Sequence, residues 1–136
     1  MTYAKQDADK KDDVKGVGNG FVDVFKPDGS GGKRLISGGT LNSPWGLALA
    51  PSSFGDLAGA LLVGNFGDGM VFAYDAATGA PRGQLVDGAG APLAIDGLWA
   101  LVQGPTGTTD LSQTLFFTAG PEDETHGLFG KLEMGD

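Results

Sequence analysis

Three segments of the chain concentrate oxygen-bearing side chains. The first holds Asp7, Asp9, Asp12 and Asp13, the second Asn65 and Asp68, and the third Glu122, Asp123, Glu124 and His126. Asn42 and Asp96 each stand just ahead of an apolar stretch. Carboxylates and amides are the ligands of hard cations, and calcium takes about six to eight such oxygens. The metal candidates are therefore Asn42, Asp96, Asn65, Asp68, Asp7, Asp9, Asp123, Glu124 and His126, with Ca2+ as the one cofactor they suggest. Asp7-Ala8-Asp9 opens like a calcium loop, but Asp12 stands where an EF-hand needs glycine and Gly18 where it needs the closing glutamate. Acidic, glycine-rich loops also arise from solubility and turn chemistry alone, and that reading stays open beside the metal.

Nucleophilic chemistry has less to draw on. Cysteine is absent and His126 is the single histidine, so no zinc site of the usual kind can be assembled. A triad with Ser37, Ser43, Ser52, Ser53 or Ser112 is conceivable, yet none of these lies in a G-x-S-x-G elbow. His126 reads instead as a packing or hydrogen-bonding loop residue, and no catalytic residue is assigned. Trp45 and Trp99 admit two readings, a ligand-stacking pair or equivalent core positions, and their matching sequence contexts favour the core. Gly67-Asp68-Gly69 and Gly16-Val17-Gly18-Asn19-Gly20 are turns, because no lysine and helix follow as a phosphate loop requires.

Charge narrows the partners. The net charge is −8. Up to Arg34 seven bases face six acids, and from Leu35 onward two bases, Arg82 and Lys131, face eleven acids. A polyanion is repelled by such a surface, which argues against nucleic acid. A cationic ligand is compatible. No apolar run approaches a membrane span, and Met1 to Gly20 lacks the hydrophobic segment of a signal peptide.

What must position these residues is a repeat. Trp45-Gly46-Leu47-Ala48-Leu49 returns as Trp99-Ala100-Leu101-Val102, and Leu61 to Phe66 returns as Leu115 to Gly120, both at an offset of 54. A third anchor, glycine followed by alternating residues, starts at Gly20, Gly69 and Gly127, at offsets of 49 and 58. A fourth, Lys33 to Ser37, returns as Arg82 to Val86. Turn signals follow each anchor, Pro27-Asp28-Gly29 and Thr78-Gly79 among them. With 25 glycines and seven prolines, the pattern predicts an all-β chain of four short strands per repeat, a partial β-propeller. The first strand of each repeat, apolar on nearly every residue, should be the innermost, packed between neighbouring blades.

The expected units are residues 1–37 as a partial blade, 38–88 as a complete blade and 89–136 as a partial blade of three strands. Together they make about two and a half blades, where closed propellers hold about four to eight. Three outcomes fit that count: a fragment of a longer protein, several copies in a ring, or an open curved stack of sheets. Uncovered flanks and strand edges predict self-association or pairing with a missing N-terminal half.

Asn42 to Pro51 and Leu62 to Val71 resemble the repeats of NHL-type six-bladed propellers. A closer resemblance is to an uncharacterised family of exported bacterial propellers, some with a PEP-type C-terminal sorting tail. It is carried by Tyr3 to Lys10, Gly18 to Phe25, the two stretches just named, Ile95 to Trp99, Phe117 to Pro121 and His126 to Gly130. No sorting tail follows Asp136. The resemblance implies an extracellular or cell-envelope location and a chain matching only the C-terminal part of the family. Regucalcin- and gluconolactonase-like propellers add a precedent for an axial divalent ion, which would place Asn42 and Asp96 nearest the axis. Two functions follow: a non-catalytic scaffold binding a protein or glycan, or the remnant of a metal-dependent lactonase-like hydrolase.

Overall fold

Ten short strands make up almost all the regular structure in a computed structural model that describes residues 1–107 and 110–135. They form three antiparallel sheets, and each is a simple meander. The first joins β1 (Thr2–Tyr3), β2 (Phe21–Val24) and β3 (Lys33–Ser37). The second joins β4 (Pro44–Leu49), β5 (Leu61–Asn65), β6 (Val71–Tyr74) and β7 (Pro81–Gln84) in that order. The third joins β8 (Leu98–Gln103), β9 (Leu115–Ala119) and β10 (Leu128–Leu132). The chain is all-β. Helix is confined to one 3-10 turn, Gly55–Leu57, and a turn at Pro121–Glu124 whose Glu122 and Asp123 are left-handed. The expected third unit, residues 89–136, is described except at 108, 109 and 136.

The repeat holds at the level of individual residue pairs. In the second sheet Leu47 faces Val63, Ala48 faces Leu62 and Leu49 faces Leu61. In the third, Leu101 faces Phe117, Val102 faces Phe116 and Gln103 faces Leu115, each pair shifted by 54. Both ladders carry a register break near their start, between Pro44 and Gly46 and between Leu98 and Leu101. The β5–β6 pairs return in β9–β10 with the offset of 58 on the second strand, as Gly64–Val71 becomes Thr118–Phe129.

Alternation along each strand assigns two faces to the second sheet. Leu47, Leu61, Val63, Phe72 and Tyr74 pack with Val22 and Ile36 of the first sheet. Ala48, Leu62, Val71 and Ala73 pack with Leu98, Leu101, Leu115 and Phe117 of the third. Glycine permits the second contact. A Cβ on Gly46 would lie 2.7 Å from the Trp99 carbonyl oxygen, and one on Gly64 would lie 2.9 Å from Leu98 Cδ2.

Burial does not follow the order of the strands. The most buried strand is β5, not the first strand of its repeat: Leu62 to Asn65 are all buried, whereas Trp45 and Leu49 of β4 are exposed. The physical reason is that β5 is covered on both faces while the start of β4 opens onto a cleft. The fourth strand also sits earlier than its anchor, at Pro81–Gln84 rather than Arg82–Val86, because a register shift at Ala73/Tyr74 draws Pro81 opposite Tyr74.

Acids organise several turns. Asp28 Oδ1 accepts the Ser30 N–H, Asp75 Oδ1 accepts those of Ala77 and Thr78, and Asp87 Oδ1 accepts those of Ala89 and Ala91. These are Asx turns, and they account for part of the acidic composition without a ligand.

Candidate functional site

The site begins from the two tryptophans. Trp45 and Trp99 occupy the same repeat position in adjacent sheets, so they arrive side by side where β4 and β8 begin. Their rings meet edge to face with centroids 4.8 Å apart, and Phe66 meets Trp99 in the same manner at 5.7 Å. Trp45 is 51% exposed. The expectation that this pair lies in the core is therefore corrected for Trp45, while Trp99 is half-buried. Gly46, directly after Trp45, lets the third sheet close on the β4 backbone, and the Trp45 indole meets Trp99 at the rim of that contact, so the indoles form a wall rather than a filling.

That wall bounds a cleft of about 680 Å3. Thr2, Tyr3 and Ala4 line it from β1 and its end, and Gln6, Lys11, Asp12 and Asp13 from the following loop. Phe66 and Glu124 complete it from the loops after β5 and β9. All three oxygen-rich loops singled out in the sequence thus contribute to one cleft, though mostly through residues other than the metal candidates. Three carboxylates, Asp12, Asp13 and Glu124, stand against one lysine, Lys11. Asp13 Oδ2 is sealed from solvent and has no hydrogen-bond partner among the described residues. Such an oxygen costs about 1–3 kcal/mol when left unpaired. Next to the wall, the Lys15 ammonium sits 4.6 Å over the Phe66 ring.

Of the nine metal candidates only Glu124 lines the cleft. Asn42, Asn65 and Asp68 come together elsewhere, as a hydrogen-bonded cluster. Asn42 Nδ2 donates to Asp68 Oδ2 at 3.0 Å, and the Asn42 N–H donates to Asn65 Oδ1 at 3.1 Å. Asn42 Oδ1 accepts the Gly16 N–H, Asp68 Oδ1 accepts the Met70 N–H, and Asn65 Nδ2 donates to the Thr40 carbonyl. Every side-chain oxygen of the three already accepts a hydrogen bond, so the cluster ties the loop before β4 to the turn after β5. Asp96 Oδ2 accepts the Glu122 N–H, Asp7 Oδ1 accepts the Lys11 N–H, and Asp9 and Asp123 are exposed. His126 is exposed and its Nδ1 lies 3.0 Å from Thr125 Oγ1 and 3.3 Å from Glu122 Oε2. Among the described residues, no three His, Asp or Glu side chains are grouped so as to hold a metal ion.

Sequence reasoning missed Asp12, Asp13, Phe66 and Lys11 as partners of the tryptophans. The signal was present, since Phe66 follows directly on the second anchor and Asp12-Asp13 lies in the aligned loop of the first unit.

No family model and no solved structure matches the chain. Three uncharacterized proteins of Acanthamoeba polyphaga mimivirus do. One is 40% identical over 115 residues, covering 85% of this chain and 29% of that protein. A second is 35% identical over 133 residues, covering 97% of this chain and 32% of that protein. A third is 34% identical over 120 residues, covering 88% and 22%. The relatives are viral. They point to a group of uncharacterized viral proteins, and the expected kinship with exported bacterial NHL-like propellers is corrected accordingly. The chain spans between 22% and 32% of the length of these relatives. No helix among the described residues is long and apolar enough to cross a membrane.

Proposed function

We propose that the chain is a non-catalytic binding module, three consecutive blades of a β-propeller, and that its ligand presents a positively charged organic group to the cleft. The observation that carries this reading is the Trp45–Trp99 pair, held at one repeat position and left open beside Asp12, Asp13 and Glu124. Aromatic faces attract cations through the ring quadrupole, by about 0.5–2 kcal/mol per contact. Carboxylates add charge of the required sign, and Lys15 over Phe66 shows the same wall receiving an ammonium of the chain itself. The meander order of each sheet and the pairwise repeat support the propeller assignment.

Two tryptophans give two indole N–H resonances, a direct report on the wall. Titration with tetramethylammonium should move both in a saturable way, with dissociation on the order of millimolar. Trp45→Ala should abolish the movement of the Trp99 signal. Saturable movement with a neutral sugar and none with the cation would transfer the cleft to a glycan. No movement with either would overturn the site.

A further inference from the structure

The turn after β9 departs from its counterpart after β5. At the offset of 54, Asp96 and Glu122 stand where the second repeat has Asn42 and Asp68. There Asn42 Nδ2 donates to Asp68 Oδ2 at 3.0 Å, and the Asn42 carbonyl accepts the Gly67 N–H at 3.0 Å. Neither bond can form one sheet further on. Two ionised carboxylates offer no donor, and Pro121, at the position of Gly67, has no N–H. Instead Asp96 Oδ2 accepts the Glu122 N–H at 3.0 Å, while Glu122 Oε2 lies 3.3 Å from His126 Nδ1. Glu122, Asp123 and Glu124 then run left-handed in succession, at φ of 55°, 53° and 65°, whereas Asp68 keeps a negative φ. Residues with a Cβ are disfavoured there, and such strain persists only where the surroundings fix it.

We infer that Asp96 is a positioning residue: through the Glu122 N–H it holds this turn left-handed and so sets Glu124 beside Trp99 in the cleft. The Glu124 and Thr125 N–H groups bond within the turn, to the Gly120 and Glu122 carbonyls, and cannot tie it to the loop before β8. Asp96 does so, one residue from the Gly97 carbonyl that accepts the Gly120 N–H. What the turn delivers is Glu124. A Cβ on Gly120 would lie 3.2 Å from Glu124 Cγ and 3.3 Å from Trp99 Nε1, so the two side chains converge over that glycine. Glu124 and Trp99 both line the cleft, and Asp96 stands outside its lining. The effect on a ligand rests on the cation reading of the cleft, whereas the effect on the turn does not.

Asp96 is exposed, so replacing it spares the core. Asp96→Ala removes the acceptor, and Asp96→Asn keeps an acceptor oxygen while removing the charge. In Asp96→Ala the HN–Hα couplings and Cα shifts of residues 122–124 should leave the left-handed range, and the Trp99 indole N–H resonance should move. In Asp96→Asn both should stay as in the wild type. Tetramethylammonium binding should weaken by up to about fivefold, the size of one exposed charge contact, in the alanine variant alone. Unchanged couplings in Asp96→Ala, or couplings lost equally in both variants, would overturn the proposal. So would weaker binding in Asp96→Asn with the turn intact, since Asp96 would then act by its charge. Wild-type indole resonances that ignore tetramethylammonium would sink the cation reading alone, and the couplings would still decide the role of Asp96.

Discussion

Gly67 lies directly against Asn42: a Cβ built on it would overlap Asn42 Oδ1 and come within 2.9 Å of the Asn42 carbonyl oxygen. That carbonyl accepts the Gly67 N–H at 3.0 Å, and the neighbouring Ser43 carbonyl accepts the Phe66 N–H at 2.9 Å. The contact repeats one sheet further on, where the Gly97 carbonyl accepts the Gly120 N–H at 2.8 Å. The loop before one strand is thus clamped to the turn after the next, and the tryptophans are aimed by that clamp.

Gly67→Ala is accordingly expected to cost about 1–3 kcal/mol, the usual cost of forcing a methyl into packed surroundings. Gly88→Ala serves as the control, because a Cβ there meets nothing within 4 Å. Urea denaturation of the two variants should separate them clearly. Equal midpoints would show that the clamp gives way freely.

At low pH the β6–β7 turn should lose the carboxylate that organises it, and should do so late. Asp75 is held below the ordinary carboxylate range, first by the Thr78 hydroxyl and then by the Thr78 and Ala77 N–H groups. A depressed folded-state pKa contributes stability that is present above the unfolded value and lost as pH falls through the folded one. The window therefore lies below the ordinary aspartate value of 3.8. Thr78→Val should return the Asp75 titration toward its ordinary range in a carboxyl NMR titration, with little change near neutrality. An unchanged titration would show that the hydroxyl does not hold the carboxylate.

The alkaline side turns on Tyr74. Burial pushes its phenol pKa up, partly offset by the Thr40 hydroxyl 2.6 Å from Tyr74 Oη. A raised folded-state pKa contributes stability that is complete below the unfolded value of about 10 and is lost as pH rises through the folded one. Tyr74→Phe should cost about 1 kcal/mol at neutral pH through the lost hydrogen bond. It should also flatten the decline of stability above pH 10, followed by chemical denaturation at several alkaline pH values. A variant as pH-sensitive as the wild type would place the titration elsewhere.

Strand positions were legible because they obey a repeat, and a repeat constrains register. The offsets of 54 and 58 reappear as facing pairs, Leu101 with Phe117 and Thr118 with Phe129. The burial of Trp45 was not legible, since an apolar strand opening reads the same whether it faces a neighbour or a cleft. What decides it is Gly46, whose missing side chain lets the third sheet close on the β4 backbone and leaves the preceding indole at the rim of that contact, against Trp99 and half open to solvent. The hydrogen bonds of Asn42, Asn65 and Asp68 were not legible for a related reason. Amide and carboxylate oxygens serve a metal and a backbone N–H equally well, and only geometry shows that the N–H groups have taken them. Asp12 and Asp13 were noted with their loop but not singled out within it, because the long loop after β1 has no periodic pattern to say which of its acids line the cleft.

Ser43 carries the last prediction. It stands at the repeat position of Gly97, and both are left-handed, at φ of 49° and 63°. Glycine takes that conformation without strain, whereas a residue with a Cβ is disfavoured by about 1–2 kcal/mol. Ser43 is also 1% exposed, and its hydroxyl has no hydrogen-bond partner among the described residues. Ser43→Gly removes both penalties, and against them stand the greater unfolded-state entropy of glycine and a small void. The net expectation is a gain of about 1 kcal/mol, read as a higher urea midpoint at unchanged slope. The reverse exchange, Gly97→Ser, should be destabilising, because a Cβ there would overlap the Gly120 carbonyl oxygen. If Ser43→Gly lowered the midpoint, the serine hydroxyl would have to be satisfying a group in the folded chain, and the strain would be smaller than its dihedral angle indicates.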